Sequence, residues 1–141
     1  MSGVPNRLLI GDARTVLTDL PSACVDCIIT SPPYFRLRDY QHEEQIGLEA
    51  DVDAWVDELA LVARGLHRVL RPTGSLWFNL GDTYARHPRE GASPKSLLLA
   101  PERLALRLLA EGWILRNKIV WAKTNPMPSS IADRLSCTHE L

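Results

Sequence analysis

The sequence of 141 residues lacks the features that mark several special classes of protein. It has no apolar run near the ~20 residues that a membrane-spanning helix needs. The stretch Met1 to Arg7 does not follow the basic-then-apolar order of a secretory signal. Net charge is only −1, so no overall positive charge attracts the chain to nucleic acid. We therefore expect an ordinary globular protein with a cytoplasmic location.

Cysteine is scarce, which argues against a disulfide framework. Of the 3 cysteines, Cys24 and Cys27 have the C-x-x-C spacing of a redox pair or of half a zinc site. A redox pair usually sits at a helix N-terminus, whereas Cys27 begins an apolar run, and no second cysteine pair follows. We expect both to be small buried side chains, and we predict no metal site.

The most distinctive stretch that is present runs from Thr30 to Tyr34, with the sequence TSPPY. It follows Val25 to Ile29, a short apolar run that predicts a buried strand. Two consecutive prolines end that strand because each fixes φ and lacks an N–H group, and each also restricts the residue before it. The sequence therefore predicts a stiff polar loop, closed by an aromatic ring, at the end of a core strand.

Strands and helices alternate along the rest of the chain, which predicts an α/β fold with a parallel sheet and right-handed crossovers. Parallel strands end at one edge of a sheet, where ligands of α/β proteins bind. Three predicted strands end in polar signatures: Gly11-Asp12, the TSPPY stretch and Gly81-Asp82. The predicted strands cover residues 7–10, 25–29, 75–80 and 113–122, and the predicted helices cover residues 14–20, 51–70 and 101–110.

In several sequence blocks the chain resembles the amino-methylating DNA methyltransferases, which modify N4 of cytosine or N6 of adenine. The stretch from Thr30 to Tyr40 is similar to their catalytic motif, in the permuted type that places this block first. Further blocks follow in the family's order: Gln45–Glu49, Arg71–Ser75, Asn79–Tyr84, Asn125–Ser130, and Asp133-Arg134 before His139-Glu140. The resemblance implies a partial Rossmann-like fold of the class I methyltransferases that use S-adenosylmethionine, mostly a parallel sheet with helices on both faces.

The resemblance also implies a reaction and residues for it. The Ser31 side chain and the Pro32 carbonyl would accept hydrogen bonds from the exocyclic amine of a base flipped out of double-stranded DNA, and Pro33 completes the rigid motif. Tyr34 would stack on that base. Methyl transfer from S-adenosylmethionine, as in restriction-modification, needs no metal. Ser31 in the first position favours cytosine N4 over the alternative, adenine N6.

Other candidate residues keep two interpretations each. Asp12 either holds the cofactor together with Pro32, as the resemblance implies, or is a turn residue. Asp82 either lines the pocket or caps a turn. Arg36 and Arg38 either meet DNA phosphates or pair with the acids of residues 39–58. Ser129 is a further, weaker candidate for contact with DNA.

Two further groups receive structural predictions. We expect His139-Glu140 to be the entrance to a strand rather than a catalytic pair. We expect Trp55, Trp77 and Trp113 in the core rather than as stacking platforms for bases.

The glycine-rich cofactor block of the family is missing, because the 8 glycines form no G-x-G pair. We interpret residues 1–141 as the N-terminal, catalytic-motif part of one methyltransferase domain, incomplete at its C-terminus. A missing C-terminal segment or a second chain would then supply the cofactor loop, and this chain alone would bind S-adenosylmethionine weakly. The alternative is an inactive remnant that acts only as a DNA-binding or partner-binding module.

Overall fold

The structure, a computed structural model, describes residues 6–127 and 129–141. Pro128, part of the predicted 125–130 block, lies outside the described residues, as do residues 1–5. The elements are α1 (Ala13–Val16), β1 (Val25–Thr30), α2 (Val52–Val69), β2 (Leu70–Phe78), α3 (Ala100–Ala110), β3 (Trp121–Ala122) and β4 (His139–Glu140). Short 3-10 turns follow α1 at Leu17–Asp19 and lie in a loop at Pro88–Glu90.

The strands β1 and β2 form a parallel ladder, so the predicted α/β architecture is confirmed. Its register pairs Cys27 with Ser75 and Thr30 with Phe78. The ladder continues one step further, because the Thr30 carbonyl accepts a hydrogen bond of 2.9 Å from the Asn79 amide. This register places the residue that follows β1, Ser31, beside Asn79.

The crossover helix α2 begins and ends where its sequence pattern predicts. The Asp51 side chain accepts a hydrogen bond of 2.8 Å from the Ala54 amide, which satisfies one of the free N–H groups at the helix N-terminus. Both α1 and α3 pack against α2. The apolar stripe of α2 forms the centre of the core with residues from α3 and from the loops, among them Phe35, Trp55, Leu59, Leu98 and Leu104.

Helices were expected on both faces of the sheet, but the helices of the described residues form one layer. The helices α1 and α3 both pack against α2, which connects the paired strands β1 and β2. The opposite side, called here the outer sheet face, carries Cys27, Ile29, Ser75 and Trp77. Ile29 and Trp77 pair in the ladder and are 80% and 51% exposed.

Two predicted strands are wrong in whole or in part. Residues 7–10 have no strand conformation, and Leu8 and Ile10 are 85% and 89% exposed. Of residues 113–122, only Trp121–Ala122 are a strand, and they pair antiparallel with His139–Glu140. A strand requires a neighbour for its N–H and C=O groups, and the described residues provide none for the rest of these two segments. The prediction that His139-Glu140 begins a strand is confirmed.

Candidate active site

The helix α2 supports the diproline loop, which is the stretch from Thr30 to Tyr34. The indole N–H of the fully buried Trp55 donates a hydrogen bond of 2.9 Å to the Pro33 carbonyl. The amide of Arg36 donates a bond of 2.7 Å to the Gly47 carbonyl. Gly47 has a φ of 115°, and a Cβ there would lie 3.1 Å from the Tyr34 carbonyl oxygen. The loop is therefore fixed at both ends by contacts with buried or tightly packed residues.

The two groups that the resemblance singles out remain open at the top of this loop. The Pro32 carbonyl accepts no hydrogen bond from the described residues, whereas the next carbonyl, that of Pro33, is occupied by Trp55. The Ser31 side chain is exposed. An exposed serine and a carbonyl that accepts no hydrogen bond from the described residues thus stand at adjacent positions of a rigid segment.

Below Ser31 lies a polar network centred on the Tyr34 hydroxyl, which is 2.8 Å from Glu140 Oε2 and 2.8 Å from Asn79 Oδ1. Ser31 Oγ donates to the Tyr34 oxygen over 3.2 Å and lies 3.4 Å from Asn79 Oδ1. The Glu140 carboxylate also forms an ion pair of 2.5 Å with Lys123, the residue after β3. We call Ser31, Tyr34, Asn79, Lys123 and Glu140 the tyrosine network.

Two pKa shifts follow from this arrangement. Partial burial, together with its contact to the Glu140 carboxylate, raises the pKa of Tyr34, although the bond from Ser31 acts in the opposite direction. Burial acts to raise the pKa of Glu140 too, but hydrogen bonds from Lys123 and Tyr34 and the Lys123 charge outweigh it and lower that pKa. Glu140 is therefore ionised and Tyr34 protonated at neutral pH.

The Tyr34 ring rests on the backbone of Gly81. A Cβ at position 81 would lie 2.8 Å and 3.0 Å from two ring carbons of Tyr34, closer than real side chains approach. Glycine at this position thus allows the ring to approach the chain that follows β2 closely. The position and tilt of the ring depend on the absence of a side chain there.

The basic residues after the motif differ in their surroundings. Arg36 forms an ion pair of 2.8 Å with Glu90, which is 1% exposed, and also donates to the carbonyls of Glu49 and Ala50. Hydrogen bonds from backbone amides, first that of residue 86, and the Arg36 charge lower the pKa of Glu90 against the effect of burial. Arg38 is exposed. The structure thus pairs Arg36 with an acid outside the 39–58 stretch, and phosphate contact by Arg36 or Arg38 stays a prediction.

The two candidate aspartates act as helix caps in this structure. Asp82 accepts hydrogen bonds of 3.0 Å from the amides of Leu99 and Ala100, at the start of α3. Asp12 caps α1 by accepting a bond of 2.7 Å from the Arg14 amide, and it also forms an ion pair of 2.6 Å with the Arg14 guanidinium. These bonds with Arg14 lower the pKa of Asp12. Any ligand role for either aspartate stays a prediction.

Asp12 nevertheless lies on the same cleft as the motif. This cleft of about 460 Å³ is lined by Gly11, Asp12, Arg14, Pro33, Ile46 and Val62, among others. The structure therefore brings the ends of the first predicted strand and of β1 together, as the parallel arrangement predicts. Gly81-Asp82 meets the same motif from the other side, through the contact between Gly81 and Tyr34.

The remaining predictions have mixed outcomes. Ser129 is exposed, and its hydroxyl accepts a bond of 3.3 Å from the Ile131 amide. The prediction that the tryptophans lie in the core is confirmed for Trp55, and Trp113 is partly buried and packs against the core cluster. The prediction is wrong for Trp77, which lies on the outer sheet face. The separate prediction that Cys24 and Cys27 are buried is also wrong: Cys27 is exposed on that face and Cys24 is half-buried.

Sequence reasoning missed three members of the tyrosine network, Asn79, Lys123 and Glu140. Asn79 and Glu140 belong to stretches that matched the family blocks, but Glu140 was assigned to a strand alone. Only the fold shows that Glu140 lies beside Tyr34, 106 positions earlier in the chain. The contact depends on the pairing of β3 with β4 and on two hydrogen bonds between Leu80 and Leu141, of 2.7 and 2.9 Å.

Comparison with known proteins decides the family. A profile described as DNA methylase, built for the N6 and N4 enzymes, matches residues 25–141. The chain belongs to this DNA methylase family. The resemblance drawn from the TSPPY stretch and its companion blocks is thereby confirmed.

Curated relatives of this family member are type II methyltransferases. The chain is 44% identical to M.SfiI of Streptomyces fimbriatus, over 99% of this chain and 35% of the relative. It is 42% identical to M.Cfr9I of Citrobacter freundii and 37% identical to M.SmaI of Serratia marcescens. These two alignments cover 94% and 95% of this chain and 51% and 53% of the relatives. The chain thus spans between a third and about half of the length of these three relatives.

Solved structures of methyltransferases share the fold. The PvuII DNA methyltransferase, described as cytosine-N4-specific, matches with a TM-score of 0.70 at 21% identity, over 93% of this chain and 45% of that one. A protein from Thermus thermophilus, described as a putative DNA modification methylase complexed with S-adenosyl-L-methionine, matches with a TM-score of 0.67 at 31% identity, over 93% and 49%. This methylase chain is therefore part of a class I methyltransferase fold.

Two other properties of the methylase chain concern metals and membranes. No group of three or more His, Cys, Asp or Glu side chains is placed to hold a metal ion in residues 6–127 and 129–141. Within the same ranges, no helix is both long and apolar enough to cross a membrane.

Proposed function

We propose that this chain is the catalytic-motif part of a DNA methyltransferase that modifies the N4 amino group of cytosine. In this proposal S-adenosylmethionine is the methyl donor, and the substrate is a cytosine flipped out of double-stranded DNA. The reaction would belong to a type II restriction-modification system, as the names of the curated relatives suggest.

One observation carries the proposal: Ser31 and Pro32 present two free oxygen acceptors on a braced loop. The exocyclic amine of a base is conjugated with its ring and is a poor nucleophile. Two acceptors at its hydrogens draw the nitrogen toward tetrahedral geometry and localise its lone pair. Because Trp55 and Gly47 already fix the loop, little reorganisation is needed when the amine arrives.

Tyr34 would hold the base while this happens. Its ring lies against Gly81 and its hydroxyl is anchored to Glu140, so the ring offers a fixed platform. Stacking of a base on an aromatic side chain contributes about 1–3 kcal/mol. Arg38 and Ser129, both exposed, are the candidates for contact with the DNA around the flipped base, and Arg36 is a weaker one because it is paired with Glu90.

The cofactor would bind in the cleft between Asp12 and Pro33. Gly11 has a φ of 149°, and a Cβ there would lie 2.8 Å from Val16, so only glycine fits this wall of the cleft. Arg14 donates to both oxygens of the Asp12 carboxylate, from its amide and from its guanidinium, so a ligand held by Asp12 would share or displace some of these bonds. Once bound, S-adenosylmethionine supplies an electrophilic methyl group on a sulfonium.

We further propose that another segment or chain completes the cofactor site. The sequence contains no G-x-G pair, and the three relatives described above are about two to three times as long as this chain. The outer sheet face and residues 7–10 present apolar side chains that such a segment would cover. The whole enzyme would then have the second helical layer that the described residues lack.

The test is methyl transfer in a reconstituted mixture. The purified chain is combined with a segment of a curated relative that carries the glycine-rich block, with double-stranded DNA and with radiolabelled S-adenosylmethionine. We expect labelled DNA whose digest contains N4-methylcytosine, and loss of label with Tyr34→Ala. N6-methyladenine would replace the base assignment with its alternative, and no label in any mixture would favour a binding module without activity.

Calorimetry on the chain alone is a second test. We expect weak or undetectable binding of S-adenosylmethionine, because the cofactor block is supplied elsewhere. A micromolar dissociation constant for the isolated chain would contradict the proposed division of the site.

A further inference from the structure

We propose that Glu140 is a positioning residue that fixes the direction of the hydrogen bonds in the tyrosine network, so that Ser31 faces the substrate with lone pairs only. This inference rests on the proposed function, since it concerns how Ser31 acts on the amine. It adds a role for a residue outside the TSPPY stretch.

The first step is the state of Glu140. Its side chain is only 19% exposed and touches the Lys123 ammonium at 2.5 Å with one oxygen and the Tyr34 hydroxyl at 2.8 Å with the other. An ionised carboxylate can only accept hydrogen bonds. The single proton of the Tyr34 hydroxyl is therefore drawn to Glu140, because a bond to a charged acceptor is stronger than one to the neutral Asn79 amide oxygen.

The second step is the consequence for Ser31. A Tyr34 oxygen that has directed its proton to Glu140 faces Ser31 with a lone pair. The other polar atom near Ser31 Oγ is Asn79 Oδ1 at 3.4 Å, also an acceptor. Whichever of the two accepts it, the Ser31 proton points into the protein. The remaining lone pairs of Ser31 then face the open side, where an amine N–H would be received.

The direction of the Ser31 hydroxyl bond matters because a serine hydroxyl without a fixed acceptor can turn its proton toward the substrate. In that orientation Ser31 would donate toward the nitrogen, and a bond to the nitrogen lone pair would remove the electrons that attack the methyl group. The Lys123–Glu140 ion pair thus acts on the reaction through Tyr34 and Ser31 without touching the base. Because Glu140 lies on β4 and Lys123 directly follows β3, the short ribbon has a role beyond packing.

The experiment compares Glu140→Gln with Glu102→Gln. The glutamine at position 140 keeps the shape but can donate as well as accept, so the direction is no longer fixed. Glu102 is the matched control, because it is also an acid paired with a lysine, Lys118, at 2.5 Å, and it lies on α3 away from the site. Both chains are labelled with 3-fluorotyrosine, which ionises at milder pH than tyrosine, and the Tyr34 signal is assigned with Tyr34→Phe.

The first readout is the ¹⁹F titration of the Tyr34 phenol in the chain by itself. We expect Glu140→Gln to shift the Tyr34 midpoint to lower pH, because the carboxylate no longer holds the proton, and Glu102→Gln to leave it in place. A midpoint that does not move with Glu140→Gln overturns the inference, since a carboxylate engaged only with Lys123 would give that result.

The second readout is the kinetics of the reconstituted enzyme. We expect Glu140→Gln to lower kcat about tenfold or more, equivalent to about 1.4 kcal/mol, and to leave KM for DNA within about twofold. An unchanged kcat in an active wild-type background overturns the inference while the proposed function stands. The two readouts can also disagree. If Glu140→Gln shifts the Tyr34 midpoint but the reconstituted mixture transfers no methyl group, the hydrogen-bond direction is supported and only the proposed function is contradicted.

Discussion

Two regions of this molecule contain similar side chains in opposite surroundings. Around α2 and the diproline loop, Phe35 and Trp55 are fully buried and Leu98 is 1% exposed. On the outer sheet face and in the unpaired segments, Ile29 and Ile114 are 80% and 78% exposed. Hydrophobicity alone does not separate the two sets. What differs is whether the described residues include an element that packs on them.

The difference shows which part of the candidate site is self-contained. The loop that carries Ser31 and Pro32 is braced by α2, the 47–50 turn and the chain after β2, all within this chain. The outer sheet face receives no such support. In our proposal, the geometry for the amine is built here, and the other half of the cofactor cleft is left to another segment.

The largest expected effect comes from Trp55→Ala. It removes a fully buried indole and its bond to Pro33, so we expect a loss of about 3–5 kcal/mol in the free energy of unfolding. Urea denaturation followed by circular dichroism measures it. The control Ile114→Ala, at an exposed apolar residue, should change stability by less than about 0.5 kcal/mol. Similar losses for both variants would remove the distinction between the two regions.

A comparable contrast exists between ion pairs. Arg36→Ala removes the positive charge paired with the buried Glu90, which keeps its hydrogen bond from the residue-86 amide, and we expect a loss on the order of 3 kcal/mol. Arg71→Ala breaks a pair with Asp26 that is exposed on both sides and should have little measurable effect. The Glu90 pKa is lowered, so the contribution of this pair is present at neutral pH and is lost as the pH falls through that pKa. If Arg36→Ala lowers the free energy of unfolding no more at pH 7 than in acid, the stabilising role of the Arg36–Glu90 ion pair is contradicted.

Gly81→Ala tests the contact between the self-contained region and the Tyr34 ring. The new methyl group would collide with ring carbons, and we expect a loss of about 1–3 kcal/mol and a displaced ring. The ¹⁹F shift of labelled Tyr34 reports the displacement. Gly65→Ala is the control, because its methyl group would meet the flexible end of Leu17 at 3.1 Å, and alanine favours helix. The contact is not decisive if the two variants behave alike.

The sequence predicted the helices better than the strands, for a physical reason. The pattern from Asp51 to Leu70 contains its own cap and its own hydrogen-bonding partners, since helical bonds are local. The residues of 7–10 and 113–120 have equally apolar patterns, but a strand is stabilised by a neighbour that a pattern does not contain. The strand β1 was predicted correctly because β2 is present to pair with it.

The candidate site also has features that depend on local sequence and features that depend on a distant partner. The rigid loop at Ser31–Tyr34 could be predicted because proline restricts the backbone locally. The bond from Tyr34 to Glu140 could not, because it depends on the antiparallel pairing of two strands of two residues each, far along the chain. The alternatives left open were a turn residue for Asp12 and the cap of a turn for Asp82, whereas both side chains bind amides at the start of a helix, and this geometry does not test a ligand role.

A smaller effect is expected at the junction of α2 and α3. Hydrogen bonds from Arg64 and Arg107 lower the pKa of Glu111 to about 2. Its stabilising contribution is complete above the ordinary pKa of 4.5 and is lost as the pH falls toward 2. We expect Glu111→Gln to cost up to about 1 kcal/mol at pH 7 and nothing measurable near pH 2. Thermal unfolding at several pH values checks this, and a constant difference between the two proteins would contradict it.

The smallest effect on the chain itself is expected from Ile29→Ser on the outer sheet face. This side chain is already 80% exposed, so the free energy of unfolding should change by less than about 0.5 kcal/mol. Leu106→Ser, at a 67% exposed residue of α3, should behave in the same way. The two variants should differ only when the completing segment is added. Ile29→Ser should weaken its association in a pull-down or calorimetric titration, because the proposed segment covers the outer sheet face. Equal binding by both variants would mean that the segment packs elsewhere and that Ile29 remains exposed in the complete enzyme.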